Sequence, residues 1–426
     1  MSRSIELLKS RYLKNLRDNP AIFVGIELEY PVVSIDGQAT DIIVVQNLMR
    51  FLTSRLNFTI EKVDDFGNPI QLVDSISQDR ILFEVSYTTI EFAFAKADSI
   101  KDVESRFQQY IDVIQRKLGE DHHAIVGCGI HPNWDKNKNC PVAYSRYQML
   151  MSYLKMSRTV TDIPLHHFPE YGAFICGSQV QLDVSKSNYL RVINAFIQIE
   201  AVKAYLFANS EFSGADWDTK IARDIFWEES MHGYYQENVG VNPKAFINEQ
   251  DFLDYLAKTA MFYVYREEEI LYFEPIRVED YLAREKIVAY RLNGTRQNIK
   301  PQEEDLKNHR SYHFQDLTTR GTIEYRSVCT QPLHKTFAPI AFHVGLHYNI
   351  KELEEYLAQN NYFDFSKENP KELRRQYSKK HLTKNELEKI KHYSLDLLRI
   401  SKRGLIDRGK QEEVYLEGIM NELGKC

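Results

Sequence analysis

The sequence predicts an α+β protein built around a mainly antiparallel sheet. Three observations carry that expectation. Four separate stretches alternate apolar and polar residues at the two-residue period of a strand. Longer stretches between them repeat apolar residues at helical spacing. From about residue 338 the chain is helical in pattern and highly charged. Of its 426 residues, 43% are apolar and 12% aromatic, the composition of a well-packed globule. The net charge of −6 disfavours nucleic acid as the main ligand, because phosphate binding needs a basic surplus. No apolar run approaches the roughly 18 residues of a membrane span, so a cytoplasmic protein is expected.

Taken in order, "MSRSIELLKSRYLKNLRDNP" reads as an amphipathic helix without the apolar centre of a signal peptide. "FVGIELEYPVV" (23–33) is a strand with Ile26, Leu28 and Tyr30 on one face. Gly25, Glu27 and Glu29 take the other, which sets the two acids roughly 6.5–7 Å apart. In "ILFEVSYTTIEFAFA" (81–95), Glu84 and Glu91 are seven apart and would face opposite ways on one unbroken strand. A reversal around Tyr87–Thr88 would instead set them opposite each other in a hairpin, Cβ atoms roughly 5 Å apart. "SYTT" lacks the Gly or Asn of a tight turn, so a looser loop is expected.

"SIKDVESRFQQYIDVIQRKLG" (99–119) has helical spacing, with Ser99 as its N-cap and Gly119 at its exit. "GSQVQLDVS" puts Gln179, Gln181 and Asp183 on one strand face, with Val180, Leu182 and Val184 on the other. The stretch 187–210 reads as a second, deeply packed helix, and 252–266 as a helix feeding an aromatic strand. Residues 276–310 turn polar, as either an exposed excursion or a mobile lid. "GTIEYRSV" pairs Glu324 with Arg326 on one face, opposite Ile323, Tyr325 and Ser327. The charged tail, including "TKNELEKIKHYSLDLLRISKRG", shows no chemical constellation.

Each strand alone fits an ordinary wet face of an antiparallel sheet. Together they supply five glutamates and an amide face, which one cavity of a sheet would gather. Such an all-oxygen set suits hard divalent cations, and two or three ions of this kind are what a phosphoryl-transfer site needs to neutralise ATP. The cysteines (Cys128, Cys140, Cys176, Cys329, Cys426) form no metal-binding spacing and read as reduced, mostly buried thiols. His122–His123 and His166–His167 point apart within each pair, which suits surface loops better than metal sites.

The motifs "GIELE", "ILFEVSYTTIEF", "GIHPNW", "SRYQMLMSYL", "SQVQLD", "LFANSEF", "RDIFW", "MFYVYR" and "IEYRS" occur in an order that resembles the glutamate–cysteine ligases of the plant-type and actinobacterial branch. The likeness runs from about residue 22 to about 350. It implies one catalytic domain over 1–426, with a core at about 20–350 and a helical region at about 338–426. It also implies a glutamine-synthetase-like fold, a curved, mainly antiparallel sheet forming a funnel with helices outside. By resemblance, Glu27, Glu29, Glu84, Glu91 and Glu324 fall on metal-ligand positions, for two or three Mg²⁺ or Mn²⁺ ions. Gln179 falls where the family has His or Gln, and Gln181 beside the substrate or nucleotide. Arg146, Arg223 and Arg326 match arginines that contact substrate or phosphate, Arg223 and Arg326 in catalysis. This fits what a guanidinium fork does for phosphate and carboxylate oxygens.

The implied reaction uses ATP to join the γ-carboxylate of glutamate to the amine of cysteine through γ-glutamyl phosphate. This chain departs from the family at "VSYTTI" (Val85–Ile90), where the plant-type branch has a Gly-Gly turn. It departs again at "SVCTQPL" (327–333), in place of an acidic, glycine-rich run. Both departures lie near the bound amino acids, so another acceptor amine stays open beside cysteine. A non-catalytic nucleotide- or amino-acid-binding relative is disfavoured because all five glutamates are kept. A metal-dependent hydrolase is disfavoured because the acidic set contains no His.

Overall fold

A computed structural model describes residues 2–424, which leaves Cys426 outside the described residues. In it the alternating stretches become strands. In chain order these are β1 (Val24–Ser34), β2 (Phe58–Val63), β3 (Pro69–Asp74), β4 (Arg80–Phe83), β5 (Thr89–Ala93), β6 (His123–Ile125), β7 (Gly177–Asp183), β8 (Val239–Gly240), β9 (Ala260–Arg266), β10 (Glu269–Arg277), β11 (Ile287–Tyr290), β12 (Arg296–Ile299), β13 (Tyr312–His313), β14 (Gln315–Leu317) and β15 (Thr322–Cys329). The main sheet runs β14-β15-β7-β1-β5-β4-β3-β2, with β6 on the far end of β1. Every pairing in it is antiparallel, and its two ends do not join. The α+β, antiparallel expectation holds.

One face of this sheet is apolar because of the strand alternation. Ile26, Leu28, Tyr30, Ile90, Phe92, Val180, Leu182, Ile323 and Tyr325 are all buried there. Helices cover them. Phe107, from the helix Ile100–Glu120, stacks on Tyr30 with ring centres 5.8 Å apart, and Phe196, from Tyr189–Gln198, meets Tyr325 at 4.4 Å. Each such side chain contributes about 1.5–3 kcal/mol by leaving water. The opposite face carries the acids and amides.

Ser99 caps the helix Ile100–Glu120 by accepting from the Asp102 amide at 3.1 Å, but the helix runs past Gly119 to Glu120. The apolar stretch 187–210 is two helices, Tyr189–Gln198 and Glu200–Phe207, broken at Ile199. Residues 276–310 are exposed over much of their length, as expected of an excursion, but they are not without structure. Their hairpin β11–β12 completes a second antiparallel sheet, β12-β11-β10-β9. The histidine pairs split as alternation requires. His123 and His166 are buried, correcting the surface-loop expectation, while His122 is exposed. The C-terminal region forms five helices, Ala338–Tyr348, Ile350–Gln359, Pro370–Tyr377, Lys384–Arg408 and Glu417–Gly424; the first is apolar and buried, so the expected high charge begins only with the second. Among the described residues no helix is long and apolar enough to cross a membrane.

Candidate active site

Register brings the acids together. In the pairing of β1 with β5, Glu29 lies opposite Glu91, and in that of β1 with β7, Glu27 lies opposite Gln179. One strand further, Gln181 lies opposite Glu324. Glu27, Glu29, Glu84, Glu91 and Glu324 therefore line one cavity with Gln179, Arg146 and Arg326. Glu84 departs from the expected register. It sits just past β4, and its amide bonds to the Thr89 carbonyl at 3.0 Å, while Leu82 takes the place opposite Glu91. The reason is Val85, whose φ of +59° lies in the left-handed region that glycine prefers. The two carboxyl groups still act on each other across the cavity they line.

Like charges so placed hold their protons. Glu91 is pushed well above the usual carboxylate range by burial first, then by Glu84, Glu27 and Glu29. Glu27 rises to about 8, through burial and then the charge of Glu324. Glu29 rises to about 7, through burial and then Glu84. The Glu29 carboxylate accepts from the Gly177 amide at 2.6 Å. A Cβ at Gly177 would lie 2.4 Å from Arg223 Nη2, so a larger residue there would push that guanidinium aside.

The two glutamines work as bridges. Gln179 donates Nε2–H to Glu29 Oε1 at 3.1 Å and accepts from Arg326 Nη1 at 2.9 Å. Gln181 donates to Glu27 Oε1 at 2.9 Å and accepts from Arg320 Nη2 at 2.5 Å. Arg326 also donates to Glu324 at 2.6 Å. Several glutamates are thus engaged by donors. Among the described residues no three acidic, His or Cys side chains are arranged to hold an ion as they stand. The all-oxygen set still has the chemistry of a hard-cation site.

Two further parts of the cleft adjoin this acidic one. An apolar part shares Glu29, Glu84, Gln179 and Arg326 with it, adds Arg223, and is walled by Leu150, Tyr171, Trp227, Tyr312 and Phe314. In that wall Arg223 Nε and His232 Nδ1 are buried without a partner, which marks places a polar ligand atom can fill. On the other side a basic part shares Glu324, Arg310, Arg320 and Arg326 with the acidic one and adds Arg11. All the residues expected at a site from the sequence therefore reach the same cleft or, for Gln181, bond directly to it.

The sequence reading missed Asp316, Arg310 and Arg320. Asp316 faces Glu324 across β14–β15, is 7% exposed, and burial pushes its carboxyl up to about 7. The turn signal "TTRG" between them would have revealed that pairing.

Comparison with known proteins bears on this geometry. The model of glutamate-cysteine ligase family 2 matches residues 23–389. Curated relatives include the chloroplastic glutamate–cysteine ligases of Solanum lycopersicum, 24% identical over 69% of this chain and 54% of that protein, and of Arabidopsis thaliana, 24% identical over the same shares. The chain spans about half the length of the curated relatives it matches. A solved glutamate–cysteine ligase from Francisella tularensis, in complex with AMP, aligns over 96% of this chain and 83% of its own, at 13% identity and a TM-score of 0.49. The match over residues 23–389 covers most of the sequence, and this chain belongs to glutamate-cysteine ligase family 2.

Proposed function

We propose that the protein is an ATP-dependent ligase that joins the γ-carboxylate of glutamate to an amine, with the amine of cysteine first among acceptors. One observation carries this reading: an apolar, an acidic and a basic part adjoin along one sheet face and share the Arg326 fork, with Gln179 common to the apolar and acidic parts and Glu324 to the acidic and basic parts. An amino-acid side chain, divalent cations and a polyphosphate need those three surroundings in that order. The chain is taken as one catalytic unit, because its core runs from Leu8 to Ile419.

In this reading Glu27, Glu29, Glu84, Glu91 and Glu324 hold two or three Mg²⁺ ions, with Mn²⁺ as a substitute. When bound, such ions neutralise phosphate charge. Arg310 and Arg320 receive the polyphosphate from the basic side. Arg326 and Arg223 fork onto the transferring phosphoryl and the carboxylate, and Arg146 closes the acidic side. Gln179 and Gln181 orient the guanidinium groups against the carboxylates. A γ-carboxylate oxygen of glutamate then takes the terminal phosphoryl, and ADP leaves. The amine attacks the acyl carbon of γ-glutamyl phosphate, and inorganic phosphate leaves with formation of the amide. The protein supplies position and charge, and no enzyme nucleophile takes part.

Transfer to an amine other than cysteine is the second reading, favoured by the aromatic wall of Tyr171, Trp227, Tyr312 and Phe314. ADP release is measured with glutamate, Mg²⁺ and each of the twenty amino acids, and the products are identified by mass. A γ-glutamyl amide is expected. Absence of ADP release with every acceptor, in protein that binds ATP, would sink both readings.

A further inference from the structure

Behind the apolar face of the sheet lies a second set of charges. The helix Pro370–Tyr377 inserts Arg374, 2% exposed, beneath the cleft. Its Nε donates to Asp224 Oδ2 at 2.7 Å and its Nη2 to Asp224 Oδ1 at 3.1 Å. Nη2 also donates to the Ser327 carbonyl at 2.8 Å, and Nη1 to Glu200 Oε2 at 2.7 Å. The guanidinium lies 4.7 Å over the ring of Phe314, part of the apolar wall.

Those partners are neighbours of the cleft arginines. Asp224 follows Arg223 on the helix Ala222–Glu228, and Ser327 follows Arg326 on β15. The register of β15 with β7 shifts between Tyr325 and Val328. That bulge turns two carbonyls away from the ladder. Arg374 takes the Ser327 carbonyl, and Arg223 Nη1 takes the Val328 carbonyl at 2.9 Å. Since Arg223 Nε has no partner, the place of that side chain depends on the helix and bulge that carry it.

We propose that Arg374 is a positioning residue for Arg223 and Arg326. Its fork holds the side chain after one and the backbone after the other in a fixed spacing. The proposal rests on the reading that these two arginines face the substrates. A lysine cannot replace it, because a point charge does not hold a carboxylate and a carbonyl in one plane.

The test is R374M/D224L, which removes one charge of each sign. Glu200 keeps Lys203, Gln315 and Ser327 as donors, so a folded protein is expected. Its kcat for ADP release should fall on the order of 10²-fold, with the larger part of the loss in kcat rather than in KM. R374K, with the charge kept, should recover little of it. A merely structural role would lower the melting midpoint and leave both constants unchanged per folded molecule. A crystal structure of the double variant decides the matter without turnover: the bond from Arg223 to the Val328 carbonyl should be lost or Arg326 displaced. Wild-type constants in either folded variant, or both arginines unmoved in the density, would overturn the proposal. If wild-type protein itself releases no ADP, the ligase reading falls and the density alone decides on Arg374. If the double variant does not fold, R374K carries the same comparison.

Discussion

The two faces of the central sheet handle charge in opposite ways. On the buried side, Glu200 and Asp224 are matched by Lys203 and Arg374, each joined to a partner of opposite sign. In the acidic part of the cleft, five glutamates face Lys62, Arg146, Arg310, Arg320 and Arg326, yet of these ten only Glu324 and Arg326 form an ion pair with each other. The numbers of acidic and basic residues match on both sides, and the pairing does not. Sealed charges must be neutralised within the protein, because their desolvation is otherwise prohibitive. Charges held apart in a cleft leave their neutralisation to a ligand that is itself divided, cationic at one end and anionic at the other.

The largest effect should come from breaking the matched side. Glu200→Gln leaves Lys203 and Arg374 short of an anion, and should cost about 3–5 kcal/mol of stability. Chemical denaturation measures it, and a loss below about 1 kcal/mol would erase the distinction between the faces. On the open side, Glu27→Gln or Glu91→Gln should leave the fold intact and lower Mg²⁺-dependent ADP release by about 10²-fold or more, the scale of losing one positioned charge-stabilising group. Without divalent ions the same variants should melt no lower than wild type, because they relieve repulsion. Wild-type activity in both at saturating Mg²⁺ would remove the metal assignment.

A smaller effect concerns pH. The Glu27, Glu29 and Glu91 carboxyls hold their protons more tightly folded than unfolded, so their contribution is fully present below the unfolded value near 4.3. It is lost as pH rises through about 7 for Glu29 and about 8 for Glu27. Melting curves in a chelator should therefore fall from pH 5 to 8.5, and the stabilisation added by Mg²⁺ should grow over the same range as it displaces those protons. A gain from Mg²⁺ that is flat or shrinks with pH contradicts this. The smallest effect is expected at Val85. Val85→Gly loses a buried side chain but removes a positive φ from a β-branched residue, so the terms oppose. The net change should stay within about 1 kcal/mol, and a loss of about 3 kcal/mol or more by denaturation would show that the left-handed turn carries no strain.

Much of this was legible in the sequence because a strand has only two faces. The alternation around Glu27, Gln179 and Glu324 placed them correctly without any knowledge of strand order. The Glu84–Glu91 register was not legible, since nothing in "VSYTT" announces that a valine takes a glycine's conformation. Nor was the break at Ile199, where the apolar pattern continues through a helix end. Arg374 left no signal at all. In a tail full of basic residues, the one that turns inward is chosen by the helix packing of distant segments, with no local pattern to mark it.

The bridges formed by Gln179 and Gln181 have a consequence for what can travel across the cleft. A primary amide neither gains nor loses a proton in the working range of an enzyme, and its two ends differ in kind. The oxygen must face the guanidinium and the nitrogen the carboxylate, as both glutamines do. A histidine in either place would open a route for protons between the arginine side and the acidic side. With amides in both, a ligand that draws on Glu29 tugs on Arg326 through one rigid group, and its arrival is relayed as a shift of alignment with no change of charge along the way.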